Sequence, residues 1–210
     1  YLKIYQEEDN PFLEAWWKWW PTLRTLLKIL RITGGEPLIQ KSTYRMIDYL
    51  TTHPAPELEL NINTNLGSRQ EIIERFCRES QKLVEQKKVK IIKVYTSVDT
   101  WGKQAEYVRT GLNIELFEKN LLKILRETTS DVVIMITFNI FAIPSFTLLL
   151  QKIVEWRKEF NFKRRRLRFD ISYLKEPLQF DMLILPKEDF LAYVIRSLDF
   201  ITAHRSNTDP

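Results

Sequence analysis

Ile29-Leu30-Arg31-Ile32-Thr33-Gly34-Gly35-Glu36-Pro37-Leu38 decides how the rest of the chain is read. It has the form of a short buried strand that runs into a two-glycine turn, a carboxylate and a proline. Glycines let backbone amides come close to a ligand, and Pro37 fixes the exit of the turn. Glu36 is thereby presented at the carboxyl end of a strand, where α/β folds put their chemistry. Alone, the turn reads first as a plain strand terminator, so the flanking sequence has to settle its meaning.

Downstream, strands recur about every 30–36 residues with one helix between them, the length of repeated βαβ units. The helices are read over 42–53, 68–86 (opened by a Ser68/Glu71 capping box), 113–127, 145–160 and 187–203. The strands are read over 57–65, 90–99, 132–139 and 167–173. Upstream, 12–30 reads as a tryptophan-rich helix kinked at Pro21. Its tryptophans suit either a membrane-surface or stacking platform or, the preferred reading, a helix packed on a sheet. Right-handed crossovers then make the sheet parallel, open or curled into a partial barrel.

Parity along the strands adds a second signal. A parallel sheet covered on both faces reads as continuous hydrophobic runs, but here one parity of each strand is polar. The polar set is Thr33; Asn61, Asn63, Asn65; Ser97, Asp99; Thr137, Asn139; and Arg168, Asp170, Ser172. If the apolar parity faces the helices, the polar parity lines an interior that needs water and a polar ligand.

Composition narrows the function classes. In 210 residues there is one cysteine and a net charge of +5, so an internal disulfide framework or a multi-thiolate metal site of this chain is excluded. Cys77 falls on the apolar stripe of its helix and reads as a core thiol. The mild positive charge permits an anionic partner without demanding one. The uncharged segment 132–150 is broken by Asn139, Pro144 and Ser145 and reads as strand, turn and helix, not as a membrane span. A soluble, cytoplasmic protein is expected, with residues 1–185 forming the main unit and 186–210 a terminal helix and frayed tail. His53 and His204 stand apart from other metal-binding residue types, so no metal ligand is assigned. The run Lys163-Arg164-Arg165-Arg166, with Arg168, could meet nucleic-acid phosphate but reads first as a solvated turn.

Several segments together resemble the radical S-adenosylmethionine (radical SAM) enzymes, specifically those with a twitch extension. In chain order they are Gly34-Gly35-Glu36-Pro37-Leu38, Asn63-Thr64-Asn65-Leu66, Ser97-Val98-Asp99 with Gly102, Glu106-Tyr107-Val108-Arg109-Thr110-Gly111, Asn120, and Tyr173-Leu174-Lys175-Glu176-Pro177. The resemblance implies a partial (β/α)6 barrel, here lacking its first strand, that holds S-adenosylmethionine against a [4Fe-4S] cluster. It implies that Gly34, Gly35, Glu36 and Pro37 hold the cofactor's amino group and that Arg109 pairs with its carboxylate. Ser97 and Asp99 would lie near the ribose, with Asn63, Asn65 and Asn139 lining the remainder. The implied activity is reductive cleavage to a 5′-deoxyadenosyl radical and hydrogen abstraction from an unidentified substrate, a peptide or another biosynthetic intermediate, with an external electron donor. The family's C-x3-C-x2-C segment and twitch cysteines are absent, so the chain alone is expected to be inactive, and the cluster has no ligands in it. The alternative is a non-catalytic partial barrel that binds a nucleotide-like ligand or a partner chain.

Overall fold

The computed structural model describes residues 9–162 and 164–205. The opening at 1–8, Lys163 in the basic run, and the tail 206–210 lie outside the described residues. Helix α1 (Pro11–Leu23) leads into β1 (Ile29–Ile32), followed by α2 (Lys41–Thr52) and β2 (Ala55–Asn63). Next come α3 (Gln70–Glu85), β3 (Val89–Ser97), α4 (Lys103–Val108) and α5 (Ile114–Glu127). The chain then continues through β4 (Asp131–Phe138), α6 (Phe146–Phe160), β5 (Leu167–Tyr173) and α7 (Lys187–Ala203). The strands form one sheet in chain order, all parallel. Parallel neighbours need long crossovers, and each gap between successive strands supplies at least one helix.

The expected parity holds through the middle of the sheet. Leu58, Leu60 and Ile62 of β2 are fully buried, as are Ile92 and Val94 of β3 and Val132 and Ile134 of β4. Register stacks them in rows, Leu60 beside Ile92 and Ile62 beside Val94, with Val94 beside Val132. Ile73 and Phe76 of α3 and Phe117 and Leu121 of α5 close the core over them. Each such side chain contributes about 1.5–3 kcal/mol when fully buried. The opposite parity is partly exposed across most of β3, β4 and β5, so the helices cover one face and leave a polar one.

Three local expectations are corrected. The tryptophan-rich helix ends at Leu23, not near residue 30. Pro21 takes one donor from its last turn, and Thr25 then closes a tight turn by donating its hydroxyl to the Thr22 carbonyl at 2.8 Å. β1 is not a buried strand. Among the described residues it is the sheet edge, with Ile29 55% exposed and pairing on β2 alone. The Ser68/Glu71 capping box does not form: α3 starts after Arg69 without a side-chain cap, and the buried Ser68 hydroxyl has no partner. Asn120 instead draws the Ser68 carbonyl toward α5, which holds the chain in a different path there.

The tryptophans divide by depth. Trp20 is fully buried and Trp19 is 59% exposed, while Trp17 packs near Tyr49 and under the Arg45 guanidinium of α2. No helix among the described residues is long and apolar enough to cross a membrane.

One contact spans the polar face from the edge strand to β4. Arg31 on β1 donates toward the Met135 sulfur of β4 at 3.5 Å. Three strand spacings amount to about 14 Å, a gap that the two long side chains bridge across the polar face. A five-stranded parallel sheet in chain order, with helices between its strands, is compatible with a partial barrel.

Candidate functional site

The carboxyl ends of β1–β4 converge on one rim of the polar face. At the exit of β1, Gly34 and Gly35 take φ of +94° and +51°, a region that strains residues carrying a Cβ. This turn delivers Glu36 in an extended conformation to cap a short 3-10 turn, Pro37–Ile39. Pro37 suits that first position because its missing N–H would have had no partner. One Glu36 oxygen accepts from the Leu38 amide at 3.1 Å and the other from the Asn65 amide at 2.8 Å. Glu36 therefore ties the exits of β1 and β2 together, and each oxygen keeps lone-pair capacity for a further donor.

The loop after β2 is held from within. Asn120 of α5, fully buried, donates to the carbonyls of Leu66 at 2.7 Å and Ser68 at 2.9 Å and accepts from the Gln70 amide. The Asn65 side chain accepts from the Gly67 amide at 2.7 Å, so it shapes the turn whose backbone meets Glu36.

At the exit of β3, Asp99 is 3% exposed. It accepts two parallel bonds from Arg109, 2.8 Å from Nε and 3.0 Å from Nη2, and a third from the Thr137 amide at 2.7 Å. The bidentate geometry is the strong form of a carboxylate–guanidinium pair. It joins β3, the end of α4 and β4. Asn139, 4% exposed, donates to the Thr137 carbonyl at 2.9 Å and accepts from the amides of Phe141 and Ala142 at 3.0 and 3.2 Å. Ser97 is half-buried on the polar face.

Below the rim, the Arg31 guanidinium lies 4.2 Å from the Tyr95 ring centre and donates to Asn63 at 2.9 Å. Lower still, charges pair off. Lys93 meets Glu59 at 2.6 Å, and Arg164 and Arg168 meet Asp131. Burial alone would raise the Glu59 pKa, but hydrogen bonds from Lys93 and Asn61 outweigh it and hold the carboxyl below its ordinary value. Asn61 is 4% exposed, and its carbonyl oxygen lacks a partner.

The structure thus brings Glu36, Asn65, Asp99, Arg109 and Asn139 to the strand exits, with Asn63 and Ser97 just inside them. Arg31, Tyr95 and Met135 join them on the face without having been singled out. Arg31 shares the parity of Thr33, which was the available signal. Cys77 is buried, and burial pushes its thiol up to about 12. Among the described residues no group of three or more His, Cys, Asp or Glu is placed to hold a metal ion.

No family model matches the chain, and no curated protein does. Among solved structures it is similar to SuiB of Streptococcus suis, with a TM-score of 0.55 and 16% sequence identity over 90% of this chain and 41% of SuiB. At that identity the likeness is one of fold. The chain spans about two fifths of the length of SuiB.

Proposed function

We propose that this chain is the S-adenosylmethionine-binding core of a radical SAM enzyme. The observation that carries the reading is the rim itself. Glu36 is fixed by amides of its own turn and of the next strand exit, and it shares a strand-end rim with the Asp99–Arg109 pair. The fold likeness to SuiB, a radical SAM enzyme, supports it.

The residues present suit the cofactor's polar groups. Glu36 can accept from an ammonium as a charge-assisted pair. Arg109 uses two of its five donors on Asp99 and keeps others for a carboxylate. In this reading Ser97, and Asp99 through the lone-pair capacity left after its three bonds, would accept from ribose hydroxyls, and Asn63 and the unpartnered Asn61 oxygen would offer acceptors deeper on the face. Asn65 and Asn139 serve through the turns they shape. When bound, the cofactor supplies a carbon-centred radical for hydrogen abstraction, while the protein's part is placement and exclusion of water.

The residues do not suit the [4Fe-4S] cluster. One buried thiol with a raised pKa cannot stand in for three thiolates. In this reading the cluster ligands lie in sequence outside the 210 residues, on a segment that joins the open edge of β1 and completes the partial barrel. Any twitch extension and the docking of an electron donor belong to the same outside sequence.

The test is anaerobic reconstitution of the protein expressed from its complete reading frame, followed by reduction and assay for 5′-deoxyadenosine. Formation of that product, reduced by Glu36→Gln, is the expected result. No product and no cluster absorbance would overturn the proposal.

A further inference from the structure

Most charges of the polar face pair with one another. Lys93 meets Glu59 at 2.6 Å, and Asp99 takes Arg109 in its bidentate pair. Arg164 and Arg168 both turn to Asp131. Their neighbour Arg166 donates to the carbonyls of Leu125 at 2.9 Å and Ser130 at 3.1 Å. These carbonyls lie at and just past the end of α5, where orphan acceptors need donors. Burial, and then Arg164, push the Arg166 pKa below the ordinary guanidinium value. The solvated-turn reading of the basic run is therefore corrected for Arg164 and Arg166, which lock β4 and α5 to the entry of β5.

Arg31 and Asp170 differ from these: among the described residues neither has an oppositely charged partner. Neutral groups hold the Arg31 guanidinium. Its Nε donates to Asn63 at 2.9 Å, its centre lies 4.2 Å from that of the Tyr95 ring, and Nη2 reaches the Met135 sulfur at 3.5 Å. A thioether is a weak acceptor, and Nη1 donates to nothing among the described residues. The Nη1–Nη2 edge is thus oriented yet open to a planar acceptor that takes two bonds, as a carboxylate does.

Asp170 is the register partner of Met135 between β5 and β4. Its side chain therefore rises from the same face, about 4.8 Å away along the sheet. Arg168, two residues back on that face, is turned to Asp131. Met135 stands between a cation that it touches and a carboxylate beside it. One strand spacing beyond the sulfur contact puts the guanidinium and the Asp170 carboxylate about 8 Å apart. A carboxylate and an ammonium joined through one or two carbons, each at the ~2.8 Å of a charge-assisted hydrogen bond, fill a gap of that size. A simple anion or cation would match one end and leave the other bare.

We propose that Arg31 and Asp170 together bind an amino acid across Met135, its carboxylate on the Arg31 fork and its ammonium on Asp170. The site lies just below the rim, beside Asn63. That the bound amino acid is the molecule acted upon rests on the reading of the rim; its binding does not.

The experiment follows the methyl carbon signal of Met135, assigned by its loss in Met135→Leu, in 13C-methionine-labelled protein expressed from its complete reading frame. The probes are alanine, β-alanine, propionate and ethylamine, titrated at fixed ionic strength into wild type, Arg31→Gln and Asp170→Asn. Both positions are exposed, and thermal melting checks the fold of each variant. Lys82→Gln, on the helix-covered side, is the control. Alanine or β-alanine is expected to shift the Met135 signal and to bind roughly tenfold more tightly than propionate or ethylamine. Arg31→Gln and Asp170→Asn should each weaken that binding roughly tenfold, and Lys82→Gln should leave it unchanged. No shift by either amino acid, a single-charge probe binding as tightly as both, or wild-type affinity in either variant would overturn the proposal. Saturating S-adenosylmethionine should leave the amino-acid affinity unchanged or raise it; mutual exclusion would give the site to the cofactor's own amino-acid end and overturn the assignment to a second molecule. Amino-acid binding through these residues in a protein that does not bind S-adenosylmethionine would refute the reading of the rim and leave this site standing.

Discussion

Replacing Asn120 with alanine should damage both stability and the rim, although the residue lies on α5 and not at a strand exit. Its side chain is fully buried, and its two amide hydrogens are spent on the carbonyls of Leu66 and Ser68. Truncation leaves those carbonyls without donors in a place water cannot easily reach. Each loss costs about 1–1.5 kcal/mol, and the half-buried Gln70 amide and the small void add a lesser amount. The expected total is about 2–4 kcal/mol, a large share of the ~5–15 kcal/mol typical of a domain. Urea titration should show a lower midpoint with an unchanged slope, because the surface exposed on unfolding is the same. Amide exchange should separate this effect from general weakening. The 64–68 loop should exchange faster at denaturant concentrations where β3 and β4 remain protected. A stability loss below about 0.5 kcal/mol, the scale of an ordinary surface substitution, would refute the claim that Asn120 straps the loop.

Three further outcomes follow from the same geometry. In a double-mutant cycle, Asp99→Ala and Arg109→Met should each destabilise by about 2–4 kcal/mol, with a coupling of about 1–2 kcal/mol because they share one bidentate pair; full additivity would deny the pair an energetic role. Cys77 holds its proton up to about 12 in the fold, whereas the unfolded thiol releases it near 8.5–9. Its contribution is therefore fully present below pH 9 and falls as pH rises from there toward 12, by up to ~1.4 kcal/mol per unit. The stability difference between wild type and Cys77→Ala should shrink over that interval, and the folded thiol should resist iodoacetamide at pH 8. Glu59 has the opposite sign: its folded pKa lies below the ordinary carboxylate value, so its contribution is present above that value and is lost as pH falls through the folded one. Glu59→Gln should flatten the acid limb of the stability profile, and an unchanged limb would show that the Lys93 contact is not felt.

The architecture was legible where burial imposes a period. Alternation in Leu58-Glu59-Leu60-Asn61-Ile62 and in Ile92-Lys93-Val94 marked both the strands and the face that helices cover, because one face alone excludes water. β5 and α7 fell at Leu167–Tyr173 and Lys187–Ala203 as expected, each bounded by clear breakers or charge. The short α4 has too few turns to show a period. The exposed β1 looked buried because apolar residues at a sheet edge carry the same letters as those in its centre. The capping box at Ser68 failed because α3 starts one residue late, with Arg69 at the N-cap position, while Asn120, 52 residues away, holds the Ser68 carbonyl. The site was visible as residue types at strand ends, but its wiring was not. That Glu36 would be held by the amide of Asn65, or that Asp99 would take Arg109 and the Thr137 amide together, depends on the register of strands distant in sequence. The basic run shows the same limit: composition gives four like charges, and only the end of α5 explains why Arg166 points into the molecule.

As proposed, the rim at Glu36, Asp99 and Arg109 holds S-adenosylmethionine. Equilibrium dialysis of S-adenosylmethionine against the protein expressed from its complete reading frame, beside its Glu36→Gln and Arg109→Met variants, tests this most directly. Saturable binding to the wild type, weakened roughly tenfold or more by each substitution, is the predicted result. No saturable binding, or equal affinity in all three proteins, would contradict it.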